Sequence, residues 1–287
     1  MDIIQSIFKT INFNANIYLH SAFCSPWGVE SSHPGLSSFH VIAYGNCELH
    51  IEGKPVIHLS AGDLIFFARN TPHRLINPNE EAEISTTLIC GKLSFDNNNN
   101  PILLGLPPYL HIKANQMDEQ PWLKTLFQQI VSEAESQSEG RQLVLDKLAE
   151  ILFIYIVRYY LATDLYDNTN KSGLLKGLSN PAIARSLLAF HTAMDKPWTL
   201  DSLAEAALIS RSKFASLFNQ LLAITPLKYM TYWRMQQAKH LLENTDDSIY
   251  LVALSCGYRS EASFIKVFKK HFGNTPGKAR QIENKEE

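Results

Sequence analysis

Cysteine is scarce in this chain: four residues in 287, with no C-x-x-C pair, which excludes a disulfide scaffold. Long apolar runs are missing as well. The most apolar stretch, Ile151 to Val157, is interrupted by Arg158 and falls far short of the roughly 18 residues of a spanning helix. The N-terminus, MDIIQSIFKTINF, has no basic n-region, no long apolar core and no small-residue cleavage site, so no signal peptide is expected. Paired carboxylates, a nucleophile elbow and a phosphate-cradling loop are also wanting. Charged residues make up 19% and hydrophobic ones 45%, which is globular rather than disordered composition. What remains is a cytoplasmic protein with free thiols, long enough for about two domains.

Charge is unevenly placed. Residues 191–287 hold about 13 Lys and Arg against 10 Asp and Glu, so the net −2 divides into roughly +3 there and −5 before it. The pattern of the first part is that of strands. Phe39–Tyr44 runs into Gly45-Asn46, and Glu48–Glu52 then alternates polar and apolar. Val56–Leu59 and Leu64–Phe67 are short runs bounded by turn residues, and Glu83–Ile89 closes the series. Turns every 8–12 residues between short strands predict an antiparallel sandwich or barrel.

Past the polar loop Asp96–Pro101 the period changes. Trp122, Leu123, Leu126, Phe127, Ile130 and Val131 share a helical face, and a second helix is expected from about Gln142 to Ala162. Asp167–Asn180 reads as a flexible linker. Pro181 then opens an all-helical remainder.

That remainder repeats at an offset of about 50 residues. Phe214, Phe218, Thr225 and Pro226 answer to Phe264, Phe268, Thr275 and Pro276, Ser210 to Ser260, and Leu222 to Phe272. Each Phe pair at i and i+4 presses one helical face into a small core. Before each such helix lies a shorter one, Leu200–Ala207 or Tyr250–Cys256, and a tight connection ending in Ser210 or Ser260 as N-cap. Two short helices about a tight turn describe a helix-turn-helix, whose second helix enters the DNA major groove. Between the copies, Leu227–Leu242 is expected as one helix, with Met230, Trp233, Ala238 and Leu241 available for packing.

From Trp198 to Arg280 the chain resembles the AraC/XylS family of bacterial transcription regulators. The most specific parts are Gly257-Tyr258, Phe264, Phe268, Lys269, Phe272-Gly273 and Thr275-Pro276-Gly277. The resemblance implies that Ser212, Ala215, Ser216 and Asn219 face DNA from the first reader helix, and Glu261, Ala262, Ile265 and Lys266 from the second. Family members often carry Arg where this chain has Ser216 and Lys266. Arg211, Lys213, Lys269 and Lys270, at helix ends or flanks, suit phosphate better than base edges.

Residues 1–110 resemble the cupin-like sensor domain of a subgroup of these regulators, through Pro26-Trp27-Gly28, Phe39-His40, Gly62-Asp63, Pro72-His73 and Cys90-Gly91. The resemblance implies a jelly roll that senses a small molecule or oxidant, with following helices that pack on it and help form a homodimer. RNA polymerase would be a partner if the protein activates. No H-x-H pair is present, only isolated His33 and His40, so neither a metal nor another cofactor is expected. His40 and His73 are candidates for effector binding. Cys24 and Cys90 are candidates for a thiol switch, should their strands be neighbours. The expected organisation is a sensor over residues 1–166, a linker over 167–180 and a DNA-binding domain over 181–287, an α+β fold. The competing reading is a metal-dependent cupin enzyme with an accessory helical domain.

Overall fold

The computed structural model describes residues 3–8, 11, 13–31, 36–69, 71–79, 85–95, 100–118, 120–163 and 172–283. Two compact units divide the chain: Phe13–Asn170, and Lys171–Glu287 together with Met1–Asn12.

Strands build the first unit in two antiparallel sheets. One has the order β1 (Phe13–Phe23), β8 (Thr86–Phe95), β3 (Ser37–Tyr44), β6 (Leu64–Phe67) and β9 (Tyr109–Ile112). The other runs β2 (Trp27–Ser31), β7 (His73–Asn77), β4 (Asn46–Ile51) and β5 (Ile57–Ser60). Ile42, Ile65, Phe67, Leu88 and Cys90 from the first sheet meet Cys47, Leu49, Leu59 and Leu75 from the second, and these side chains form one core cluster. In β3 and β6 both faces are buried, which accounts for the unbroken apolar sequence of β6 and for the lack of alternation in β3, where Ser37, Ser38 and His40 are buried with the apolar side chains. The second face is covered by α5 (Arg141–Ala162), whose Phe153 ring packs against Phe13, Phe66 and Phe95. Polar bonds hold this helix in register. Asp146 accepts from the Ile17 N–H at 3.1 Å, and Gln142 Nε2 donates to the Ile17 carbonyl at 2.9 Å, beside the β1 bulge.

Strand β9 lies beyond the polar loop, where a purely helical continuation is expected. Four residues offer too little alternation to read, and the strand is recruited by pairing with β6 and by Asp63. That carboxylate accepts from the Ser60 N–H (3.1 Å), His111 Nε2 (3.0 Å) and the Ala114 N–H (2.9 Å). Burial pushes its pKa up, but these bonds outweigh burial and hold it below the ordinary value. Of the preceding loop, residues 96–99 lie outside the described residues, as do residues 81–84 at the start of the last expected strand.

Two further helices complete this part, α2 (Pro101–Gly105) and α3 (Ala114–Asp118), followed by α4 (Pro121–Glu135) packed on α5. Leu123, Leu126 and Ile130 of α4 are buried as their spacing implies. Trp122 is not: it is 71% exposed, with its ring stacked near Tyr155 of α5. A position at the first turn of a helix lies at the margin of the packed face, and periodicity does not register that margin.

The second unit is all-helical. It contains α6 (Leu174–Ser179), α7 (Pro181–Thr192), α8 (Leu200–Ala207), α9 (Arg211–Leu222) and α10 (Pro226–Asn244). Beyond them come α11 (Ile249–Ser255), α12 (Glu261–Phe272) and α13 (Pro276–Glu283). The first helix of the chain, α1 (Ile3–Phe8), packs against α7 rather than joining the strands that follow it. Helix α6 corrects the expected linker over 167–180. Residues 164–171 lie outside the described residues, but Leu174 and Leu175 are buried where α6 packs on α7 and α9. Two leucines are enough to dock a single turn, although the surrounding Ser, Gly and Asn suggest a free segment. Asn180 then caps α7, accepting from the N–H groups of Ala182 and Ile183.

Candidate functional site

The two copies of the repeat fold alike. In the first, Thr199 starts α8 with a reciprocal capping box to Ser202, and Ser210 Oγ accepts from the Lys213 N–H at the start of α9. In the second, Ser248 caps α11 and Ser260 Oγ accepts from the Ser263 N–H at the start of α12. Phe214 and Phe218 are buried with ring centroids 5.4 Å apart, and Phe264 and Phe268 with centroids 5.7 Å apart. These ring pairs anchor each reader helix, and the opposite face is left outward. On α9 the outward side chains are Arg211, Ser212, Lys213, Ser216, Asn219 and Gln220, with Ala215 half-buried beside them. On α12 they are Ala262, Ser263, Lys266, Lys269 and Lys270, with Glu261 and Ile265 half-buried. Ile265 leans on the cluster of Met235, Val252, Phe264 and Phe268, so it is shared between core and surface.

Between the readers, α10 is 19 residues long, about 28 Å at 1.5 Å per residue. Trp233, Met235 and Ala238 are fully buried along it. Arg234 ties it to the preceding segment: Nη2 donates to the carbonyls of Met194 (3.0 Å) and Lys196 (2.6 Å). Its guanidinium lies over the Phe190 and Tyr258 rings at 5.9 and 6.0 Å. His191 of α7 meets the Tyr229 hydroxyl at 2.7 Å, and burial drives its pKa down to about 3, so it is neutral at physiological pH.

The cations of the readers differ in position. Arg211 reaches Asp201 at 3.2 Å, both on the surface, and Lys213 follows in the first turn of α9. On α12 an acid opens the helix and Lys269, Lys270 and His271 close it, the arrangement that a helix dipole favours. Beside α9 lies a hollow of about 620 Å³, walled by Trp198, Leu200, Ala215, Pro226, Leu227 and Met230, with Asn219 at its edge. Gln220 of α9 and Arg259, in the connection before α12, are exposed and were not picked out by residue type alone.

In the strand unit, His40 and His73 come together: their Nε2 atoms are 2.7 Å apart and both rings are buried. His73 Nδ1 lies 2.6 Å from the Thr71 carbonyl, so it carries the proton and Nε2 accepts from His40. Phe67 stacks on the His73 ring at 3.8 Å. His33 lies outside the described residues. Among the described residues no group of three or more His, Cys, Asp and Glu side chains converges as a metal site would require. Ser31 and His73 border a hollow of about 500 Å³ at the strand ends, rimmed by Glu30, His50, Glu52 and Arg74. Sequence reasoning missed this rim because its residues are adjacent only across paired strands.

The two candidate thiols are not brought together. Strands β1 and β8 are neighbours, but Cys90 lies opposite Leu19, and Cys24 follows Phe23, which pairs with Thr86. The four steps from Leu19 to Phe23 alone cover roughly 13 Å, well beyond the reach of a disulfide. Cys24 is exposed and Cys90 buried in the core, where burial pushes its thiol pKa far up. The register therefore corrects the thiol-pair expectation: neighbouring strands do not suffice when the two positions are offset along them.

Comparison with known proteins agrees with both halves. Residues 2–162 match the family described as Cupin, and residues 203–282 match the helix-turn-helix domain family. An uncharacterized HTH-type transcriptional regulator of Haemophilus influenzae is 28% identical, covering 98% of this chain and 99% of that protein. The HTH-type transcriptional regulator AlkR of Acinetobacter baylyi is also 28% identical, with 98% and 99% covered. RclR of Escherichia coli, an RCS-specific HTH-type transcriptional activator, is 29% identical over 85% of this chain and 84% of its own. With a cupin match over more than half its length and two capped reader helices after it, the chain belongs to the AraC-type helix-turn-helix transcriptional regulators that carry an N-terminal cupin domain.

Proposed function

We propose that this regulator engages operator DNA through α9 and α12 as base readers, with Arg211, Lys213, Lys269 and Lys270 holding phosphates. The observation that carries this is the duplicated reader: each helix is capped by serine, anchored by a buried Phe pair and polar on its outward face. Contacts from Lys and Arg to phosphate release counterions, so affinity should fall steeply with salt. Fluorescence anisotropy of the full chain with duplex DNA at several salt concentrations tests it. Lys269→Ala should weaken binding to all sequences alike and lower the salt slope by about one unit. Binding that ignores salt would sink the proposal.

The sensor reading is a small polar effector at the strand-end hollow, near Ser31, His73 and Arg74, rather than an oxidant acting on a thiol pair. A thermal-shift screen of metabolites and oxidants separates the two. A shift with oxidant that Cys24→Ser abolishes would favour the thiol. The protein acts as a cytoplasmic homodimer and not as an enzyme, and it contacts RNA polymerase if it activates. What supports a dimer is the outward apolar face of α5 and α4: Leu143 is 65% exposed, Val144 44%, Ile151 42% and Trp122 71%. What supports a non-enzyme is that relatives similar along almost the whole chain are named as transcriptional regulators.

A further inference from the structure

We infer that Arg234 is a positioning residue: it bonds the segment leading into the first helix-turn-helix to the corner of the second, and so locks the two reader helices to one spacing along DNA. The inference rests on the proposal that both readers lie in the major groove.

Helix α10 serves two cores. Its first half packs into that of the first copy, where the Tyr229 ring meets Phe218 of α9 at 5.6 Å and Trp233 meets His191 of α7 at 4.9 Å. Its second half packs into that of the second copy, where Met235, Ala238 and Leu242 cluster with Val252, Phe264 and Phe268. The change of partners falls between Trp233 and Met235, and the residue between them is Arg234. Each core fixes one reader to its own half of the helix. Long helices are rarely straight, so a bend of α10 would move one reader against the other without disturbing either core.

Arg234 spans this junction. Its Nε and Nη2 both donate to the Met194 carbonyl, at 3.1 and 3.0 Å, and Nη2 donates to the Lys196 carbonyl at 2.6 Å. Both carbonyls lie between α7 and α8, ahead of the first copy. On the other side the guanidinium lies over the Tyr258 ring at 6.0 Å, and Tyr258 meets Phe264, an anchor of α12, at 5.6 Å. Gly257 lets the corner backbone approach: a Cβ there would come within 2.6 Å of Nη2 and 2.8 Å of the Met194 carbonyl. A path of direct contacts therefore runs from Met194 through Arg234 and Tyr258 to the second reader. A planar guanidinium can bond carbonyls at its edge while its face meets a ring, which the compact ammonium of lysine cannot do. Arg185 offers a contrast. Its Nη2 also donates to a backbone carbonyl, that of Ala207 at 3.0 Å, but the bond joins α7 to the end of α8 and does not reach the second copy.

One base pair more or less between the two contacted stretches of DNA shifts the second by about 3.4 Å and turns it by roughly 35°. Readers held rigidly cannot follow both changes, whereas readers on a compliant helix follow them in part. The test takes a duplex selected by the full-length protein from a randomised pool, locates the two contacted stretches by footprinting, and adds or removes one base pair midway between them. Fluorescence anisotropy then gives the ratio of Kd at altered spacing to Kd at the selected spacing. For the unaltered protein the ratio should be roughly ten-fold or more, the cost of forfeiting a base contact. For Arg234→Met, which keeps an unbranched stem but no donor, it should fall to about three-fold or less. Arg185→Met should lower the melting temperature and leave the ratio as in the unaltered protein. Arg234→Lys should lie between, and it decides the matter by the same ratio should Arg234→Met not fold. An unchanged ratio with uniformly weaker binding in the folded Arg234 variants overturns the inference, since Arg234 is then merely structural. A ratio that falls equally in Arg185→Met overturns it too, because any loosened core would then suffice. No spacing preference in the unaltered protein overturns it while leaving the readers in the groove, and absence of any enriched sequence overturns the underlying reading as well.

Discussion

The two helix-turn-helix copies share a serine cap, Phe anchors and a length of 12 residues in their reader helices, yet they turn their corners with different residues. The second uses glycine at both left-handed positions: Gly257 at φ 78° between its helices and Gly273 at φ 79° after its reader. At the matching places the first has Leu208 at φ 59° and Ala223 at φ 57°. A residue with a Cβ in that region costs about 1–2 kcal/mol, so the first copy holds the same geometry against a local penalty. Surroundings explain why only one corner tolerates it. Leu208 is 75% exposed, whereas a Cβ at Gly257 would come within 2.6 Å of Arg234 Nη2 and 2.8 Å of the Met194 carbonyl. The motif therefore fixes the backbone path and the neighbours decide which residue can follow it.

The comparison is broken most severely at the anchors. Phe214→Ala and Phe264→Ala should each cost about 3–5 kcal/mol, enough to unfold the copy concerned and abolish DNA binding. Circular dichroism melts with anisotropy titrations check this, and normal binding by both variants would contradict the helix-turn-helix assignment. Next comes the closed corner. Gly257→Ala should destabilise by about 2–3 kcal/mol, since backbone strain adds to displacement of Arg234. The open corner gives the contrast: Leu208→Ala should cost less than about 1 kcal/mol by urea melts, because the backbone region is unchanged and the side chain is exposed. Equal losses at the two corners would show that Arg234 does not distinguish them.

Acid should act at the edge of the first copy. His191 has a folded pKa of about 3 against an unfolded value near 6.5, so the unfolded chain binds the extra proton between those limits. Stability from this group is complete above about pH 6.5 and falls by roughly 1.4 kcal/mol per unit as pH drops towards 3. Comparing melts of the protein and of His191→Gln at pH 7.5 and pH 5 should show a smaller loss in the variant. The smallest effect is a gain. Leu208→Gly and Ala223→Gly should each stabilise by about 0.5–1 kcal/mol, relieved strain being offset in part by added unfolded-state entropy. Gly273→Ala should lose a similar amount, and a thermal shift of the wrong sign at any of the three would count against the strain account.

Much of this architecture is legible in local spacing. Phe214, Phe218 and Leu222 lie on one face at i, i+4 and i+8, and all three are buried in α9. Ser210 and Ser260 stand where a cap is needed and accept from the N–H three residues on. Leu64–Phe67 is a strand with the bounds its turn residues imply. Other features depend on what lies across the fold. The docked turn α6 sits in a segment whose composition suggests a linker, and only the pocket offered by α7 and α9 makes it a helix. Trp122 has the periodicity of a core residue and no partner surface to bury it fully.

Sequence alone determined the two reader helices, their duplication and the strand character of the first part, because caps, turn residues and periodicity are relations between near neighbours along the chain. Tertiary structure alone decided the contacts between residues far apart in sequence. It placed His40 against His73 across two sheets, set Cys24 and Cys90 out of reach on adjacent strands, and grouped Ile3–Phe8 with helices some 175 residues later. The physical reason lies in register. Moving a paired strand by a few residues leaves composition and alternation almost unchanged, yet it displaces a side chain by about 3.3 Å per residue.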